Sequence, residues 1–136
     1  MIEWLRRFRT GKLPPLQGAP PVPRRKSYSA QSGYVYLYRY AGWRPAERGS
    51  EPGAQFVFEV SPDRTAFFPV SVFLADSAVQ AWQSAHHELQ ANERYAIAKM
   101  ALFQAFDERE SPAQMAREVL VRRADAESIL ETLGID

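Results

Sequence analysis

Gly33-Tyr34-Val35-Tyr36-Leu37-Tyr38-Arg39-Tyr40 is the stretch that decides the fold. Its four tyrosines stand at every second position, between Val35, Leu37 and Arg39. Alternation of this kind, in residues that favour extended backbone, is the period of a β-strand with one face turned to a core. Two further runs read the same way, Gln55 to Val60 and Thr65 to Leu74. Ser61-Pro62-Asp63-Arg64 between them suits a type I turn, because proline presets φ at the second position. Gly42 to Ala54 is rich in Gly and Pro and reads as a long loop, displaying Trp43 and Arg44 as a candidate interface anchor. Pro69 cannot donate to a ladder, so the third strand belongs at an edge or bulge. A three-stranded antiparallel β-meander is the simplest arrangement.

About four α-helices are expected to follow, making the class α+β. Asp76 is the expected N-cap of a helix to about Leu89, with Val79, Trp82, His86 and Leu89 on one stripe. Asn92 caps a second, running through Glu108. Tyr95, Ile97, Met100, Leu102, Phe103 and Phe106 surround it almost completely and mark it as the buried helix. Ser111-Pro112-Ala113-Gln114 is a capping box opening a third helix to about Val121. A fourth runs from about Asp125 to Leu133, stopped by a left-handed Gly134 with Ile135 against Leu130.

Upstream of the sheet the composition changes. Residues 1–26 carry seven basic side chains against Glu3, a net of +6, and leave ten basic against fifteen acidic, a net of −5, for the rest. Residues 2–9 fit two turns of amphipathic helix, too short to fold without a surface to order on. Pro14, Pro15, Pro20, Pro21 and Pro23 then favour extended backbone. The division expected is therefore a flexible basic arm with a proline-rich tether, residues 1–26, and one α+β domain, 27–136, with its sheet in 27–75 and its helices in 76–136. A chain of 136 residues is long enough to bury a core of its own.

The absence of cysteine excludes disulfides, thiolate-bound metals and thiol catalysis, and it fits a reducing, cytoplasmic setting. His86 and His87 are the only histidines, and adjacent helix positions point about 100° apart, so they do not chelate one metal. Nucleotide and hydrolase fingerprints are missing, and no cofactor is expected. A non-enzymatic interaction or assembly module is the expected function.

Two surfaces are candidates to meet another protein or a second copy. One is the arm, through Trp4, Leu5, Arg6, Arg7 and Phe8. The other is the outer sheet face, where Val35, Leu37, Val57, Phe67 and Phe73 outnumber Arg39, Glu59 and Ser71. So apolar a face needs a cover, unless the strands slip by one residue and invert. The tyrosine stripe is read as core rather than as a base-stacking platform.

Three further patterns compete. Met115 to Ile129 has the apolar spacing of a helix-turn-helix, which makes a nucleic-acid-associated regulator the alternative. Its would-be recognition helix bears Asp125, Glu127 and Glu131, which phosphates repel. Pro20-Pro21-Val22-Pro23-Arg24-Arg25 has the P-x-x-P-x-R pattern that fits a groove reading polyproline ligands, or is simply a spacer. The arm's arginines beside its apolar residues also permit weak contact with an anionic membrane surface.

Overall fold

The computed structural model describes residues 13–109, 115 and 117–136. Five strands form one sheet in sequence order: β1 (Lys26–Ser29), β2 (Val35–Arg48), β3 (Glu51–Ser61), β4 (Phe68–Ala75) and β5 (Glu118–Val121). The first four pair antiparallel, and β5 lies parallel to β4. Three helices complete the described residues: α1 (Asp76–Gln83), α2 (Ala91–Glu108) and α3 (Arg123–Leu133).

The three-stranded expectation is therefore corrected in three places. Gly42 to Ala54 is no loop: β2 and β3 run through it as a long hairpin closed by Gly49-Ser50. Pro45 sits on the outer edge of β2, beyond the last backbone partner of that edge, and Pro52 lies beyond the last residue paired with β4, so neither breaks an interior ladder. Lys26–Ser29 adds a strand at one edge. Glu118–Val121, expected to end a helix, is instead the other edge strand, its β-branched Val119 and Val121 alternating with Glu118 and Leu120. The helix-turn-helix arrangement is consequently not formed. The capping box at 111–114 lies outside the described residues.

A bulge at Ala41 shifts the pairing between Tyr40 and Gly42, so outward-facing positions are odd before it and even after it. The tyrosine stripe does face the core. Tyr36 and Tyr38 are buried, joined by Phe56, Phe58 and Val60 from β3 and by Val70, Val72 and Leu74 from β4. Tyr34 is the exception, exposed just ahead of β2. Helix α2 covers this face. The Phe106 ring stacks on Tyr36 at 4.2 Å between centroids, and Phe103 stacks on Tyr28 at 4.3 Å. Asp107 ties the edge down by accepting the Tyr28 hydroxyl at 2.6 Å and the Gln31 amide at 3.0 Å.

The helix ends follow local chemistry. α1 stops at Gln83, six residues earlier than expected, leaving His86 exposed with its ring stacked on Trp82 at 4.1 Å. α2 starts at Ala91 rather than after Asn92, because the Gln90 amide donates to the Glu93 carboxylate at 2.8 Å. α3 likewise starts two residues before Asp125, whose carboxylate accepts the Arg122 amide at 3.0 Å. It ends as read, with Gly134 left-handed at φ 75° and the Ile135 amide on the Leu130 carbonyl at 2.9 Å. The turn after β3 is held by Asp63, whose carboxylate accepts the Thr65 and Ala66 amides and is drawn down to about 2 by those bonds.

Candidate functional site

The proline-rich segment is pinned to the sheet. Gln17 exchanges both backbone hydrogen bonds with Trp43, each 2.9 Å, on the outer edge of β2. Gly42, at φ 126°, makes room for this: a Cβ there would stand 2.9 Å from the Gln17 carbonyl oxygen. Arg44 reaches across to the Pro14 carbonyl at 3.3 Å. The chain then leaves the edge and returns at Lys26, opposite Tyr38. The eight residues between, Gly18 to Arg25, form a strap.

Behind the strap lies a cleft of about 920 Å³, within the range of sites that enclose a ligand. Tyr38, Tyr40, Trp43 and Phe56 of the inner sheet face form its floor. Glu88 to Asn92, with Arg94 and Tyr95, at the end of the α1–α2 connection and in the first turns of α2, form the opposite wall. Tyr40 and Tyr95 meet with ring centroids 4.7 Å apart, and Trp43 and Phe56 with theirs 6.5 Å apart. Burial pushes the Tyr38 hydroxyl up to about 12 and raises Tyr40 and Tyr95 as well. These phenols therefore stay protonated near neutrality and offer O–H donors to a guest. Arg24, Lys26 and Arg94 also line the cleft, with Glu88. Its chemistry is that of recognition: flat apolar surface, hydroxyl donors and several cations.

The residues expected to meet a partner separate. Trp4, Leu5, Arg6, Arg7 and Phe8 lie outside the described residues. Trp43 and Arg44, read as neighbours on a loop, are neighbours on β2 that face opposite ways. Trp43 lines the cleft, while Arg44 donates to Gln55 at 2.9 Å on the outer face. On that outer face Val35 is exposed, and Leu37 and Phe67 are half-buried. Val57 and Phe73 are also buried there. Among the described residues, long polar side chains contribute to the cover. The Arg48 guanidinium lies 5.6 Å over the Phe73 ring, and Arg39 and Arg25 lie 4.5 and 5.1 Å over Phe67. Gln55 donates to Ser71 at 3.0 Å, carrying the layer across β3 to β4.

Sequence reading did not bring together Tyr40, Trp43, Tyr95 and the strap. Tyr40 and Tyr95 were assigned to the core on periodicity, and the strap to a tether on its prolines. The available signal was Trp43 itself, a large aromatic in a stretch otherwise read as loop.

Neither protein-family models, curated proteins nor solved structures give a match to this chain. Among the described residues no helix is long and apolar enough to cross a membrane, and no three acidic or histidine side chains are grouped to hold a metal ion.

Proposed function

We propose that this chain is a non-enzymatic protein-interaction module, and that its partner places an extended segment in the aromatic cleft beside the strap. The observation that carries the reading is the cleft itself. A 136-residue chain keeps a volume of about 920 Å³ between its sheet and first helical turns and lines it with Tyr38, Tyr40, Trp43, Phe56 and Tyr95. Aromatic anchors in concave sites dominate the energetics of protein recognition. Glu88 is the only carboxylate lining the cleft among the described residues, so a carboxylate pair for acid–base chemistry is not assembled there.

The strap leads N-terminally through Leu13 into the basic arm, so partner contacts in the cleft and along Trp4, Leu5 and Phe8 are contiguous in sequence. The outer sheet face contributes less than its composition promised. Phe73 already lies beneath Arg48 and Phe67 beneath Arg39, which leaves Val35 and Leu37 as the part more open to a second surface.

Ala91 is exposed at the cleft wall and opens α2, so Ala91→Trp obstructs the cleft while leaving the core intact. Full-length protein and this variant are compared by quantitative affinity capture and by thermal unfolding. The expected result is an unchanged unfolding midpoint and loss of the partner that the parent chain retains. Equal retention of that partner by both would remove the cleft from the interaction.

A further inference from the structure

We infer that the segment received by the cleft is an acidic stretch of a partner protein, an apolar or aromatic anchor flanked by carboxylates. This deepens the proposal above and rests on it. Three cations line the cleft, Arg24, Lys26 and Arg94, against Glu88 alone, and Lys99 adjoins them behind Tyr38 and beside Lys26. Among the described residues the ion pairs are Arg39–Glu59, Arg48–Glu118 and Arg123–Glu127, so none of the four is paired with a carboxylate of those residues. Arg94 donates only to neutral oxygens, the Leu89 carbonyl at 3.2 Å and the Gln83 amide oxygen at 3.4 Å.

Lys99 is the least expected of them. Its ammonium is half-buried between the Tyr38 and Phe103 rings, 5.9 and 5.8 Å from their centroids, with the Lys26 ammonium beside it. Burial lowers its pKa, and the Lys26 charge lowers it further. Two adjoining ammonium groups repel each other, and an incoming carboxylate relieves that repulsion. Arg94 and Lys99 stand in a body, residues 27–136, whose net charge is −5, and they meet Arg24 and Lys26 from the end of the basic segment before it, so the cationic group is local rather than a general property of the body.

The same charges decide between occupants. The chain's own arm carries Arg6, Arg7, Arg9 and Lys12 against Glu3 and would add positive charge to positive charge. A single-stranded nucleic acid also offers flat rings and anions, but it needs a basic track along its backbone, and the acidic body opposes one. An acidic peptide needs only the local cations, and the basic arm beside the strap then meets the same partner with the right sign.

The test selects binders to purified full-length protein from a random dodecapeptide display library. The expected consensus is an aromatic or large aliphatic residue flanked by Asp and Glu. Its synthetic peptide should lose about tenfold in affinity when the acidic residues become Asn and Gln, and similarly against Arg24→Glu with Lys26→Glu. Both positions are exposed, so the double variant is expected to fold, which its circular dichroism and unfolding midpoint check. Enrichment of apolar sequences with no acidic bias, or full binding by the neutralised peptide, overturns this inference and leaves the cleft as a peptide site. Failure to enrich any sequence, with Ala91→Trp also inert in capture, overturns the cleft reading itself. Tighter binding of oligo(dT) than of the consensus peptide overturns the assignment to a protein partner.

Discussion

The two faces of this sheet bury similar residues by different means. On the inner face a helix does it: Phe106 and Phe103 stack on Tyr36 and Tyr28, and the aromatic layer is closed by side chains of its own kind. On the outer face Phe73 is only 3% exposed and Val57 7%, with the Arg48 guanidinium over the Phe73 ring and the Gln55 amide on Ser71 beside Val57 in the ladder. Phe73 lies so tightly against β3 that a Cβ on Gly53 would stand 2.6 Å from its ring. An apolar pattern in a strand thus shows that a face is covered without saying by what. A packed helix excludes water outright, whereas long arginines cover with flexible hydrocarbon stems and keep their charges wet.

The largest test of that difference is on the inner face. Phe106 is fully buried, so Phe106→Ala leaves a void that the surrounding rings fill only in part. A loss of about 3–5 kcal/mol in urea unfolding is expected. A loss under about 1 kcal/mol would mean that the inner face is no more rigidly packed than the outer.

Alkali probes the same face through its hydroxyls. Tyr28 is raised to about 12, first by its hydrogen bond to Asp107, and Tyr38 to about 12 by burial, both from 10.0. The fold holds these protons more tightly than the unfolded chain. Their contribution is therefore complete below pH 10 and is lost as the pH rises through about 12. Urea midpoints should fall across that interval, and Tyr28→Phe should flatten part of the fall. A flat profile to pH 12 would show that the tyrosines are solvated, against their placement here.

Phe73→Ala is the matching probe on the outer face. The space it leaves is roofed by side chains that move and admit water, so the cost should approach the transfer term alone, about 2 kcal/mol. A loss equal to that of Phe106→Ala would show that the arginine roof packs like a core.

Much of this was legible in the sequence, and the misses have physical causes. Alternation from Tyr36 to Tyr40 and from Phe56 to Val60 gave the inner face directly, because one side chain in two must be apolar there. The Gly134 stop was equally local, since a left-handed residue at that position favours glycine. The hairpin past Tyr40 was hidden because the bulge at Ala41 reverses the parity, and because Pro45 and Pro52 break only ladders they do not stand in. β5 was hidden by its four-residue length and by depending on β4, more than forty positions earlier in sequence. The cleft was the least legible feature. It exists only where Gln17 meets Trp43, a contact between a segment that reads as spacer and one that reads as loop.

The smallest effect is the most discriminating about the outer face. Arg39 and Glu59 stand directly opposite on β2 and β3, 2.9 Å apart, with side chains 27% and 41% exposed. Such a pair is worth about 0.2–1 kcal/mol in a double-mutant cycle and weakens with salt. Arg39 also spreads over Phe67 at 4.5 Å, and its stem shields that ring whatever happens to the charge. Arg39→Met keeps an unbranched apolar stem and removes the guanidinium, while Arg39→Ala removes both. If the stem supplies the cover, Met should stay within about 0.5 kcal/mol of the parent chain and Ala should cost about 1 kcal/mol or more. Equal losses in the two variants would place the stabilisation in the charge. The first outcome also bears on function: a face shielded by its own side chains has no need of a partner to keep it from water, which leaves the cleft as the aromatic surface in search of one.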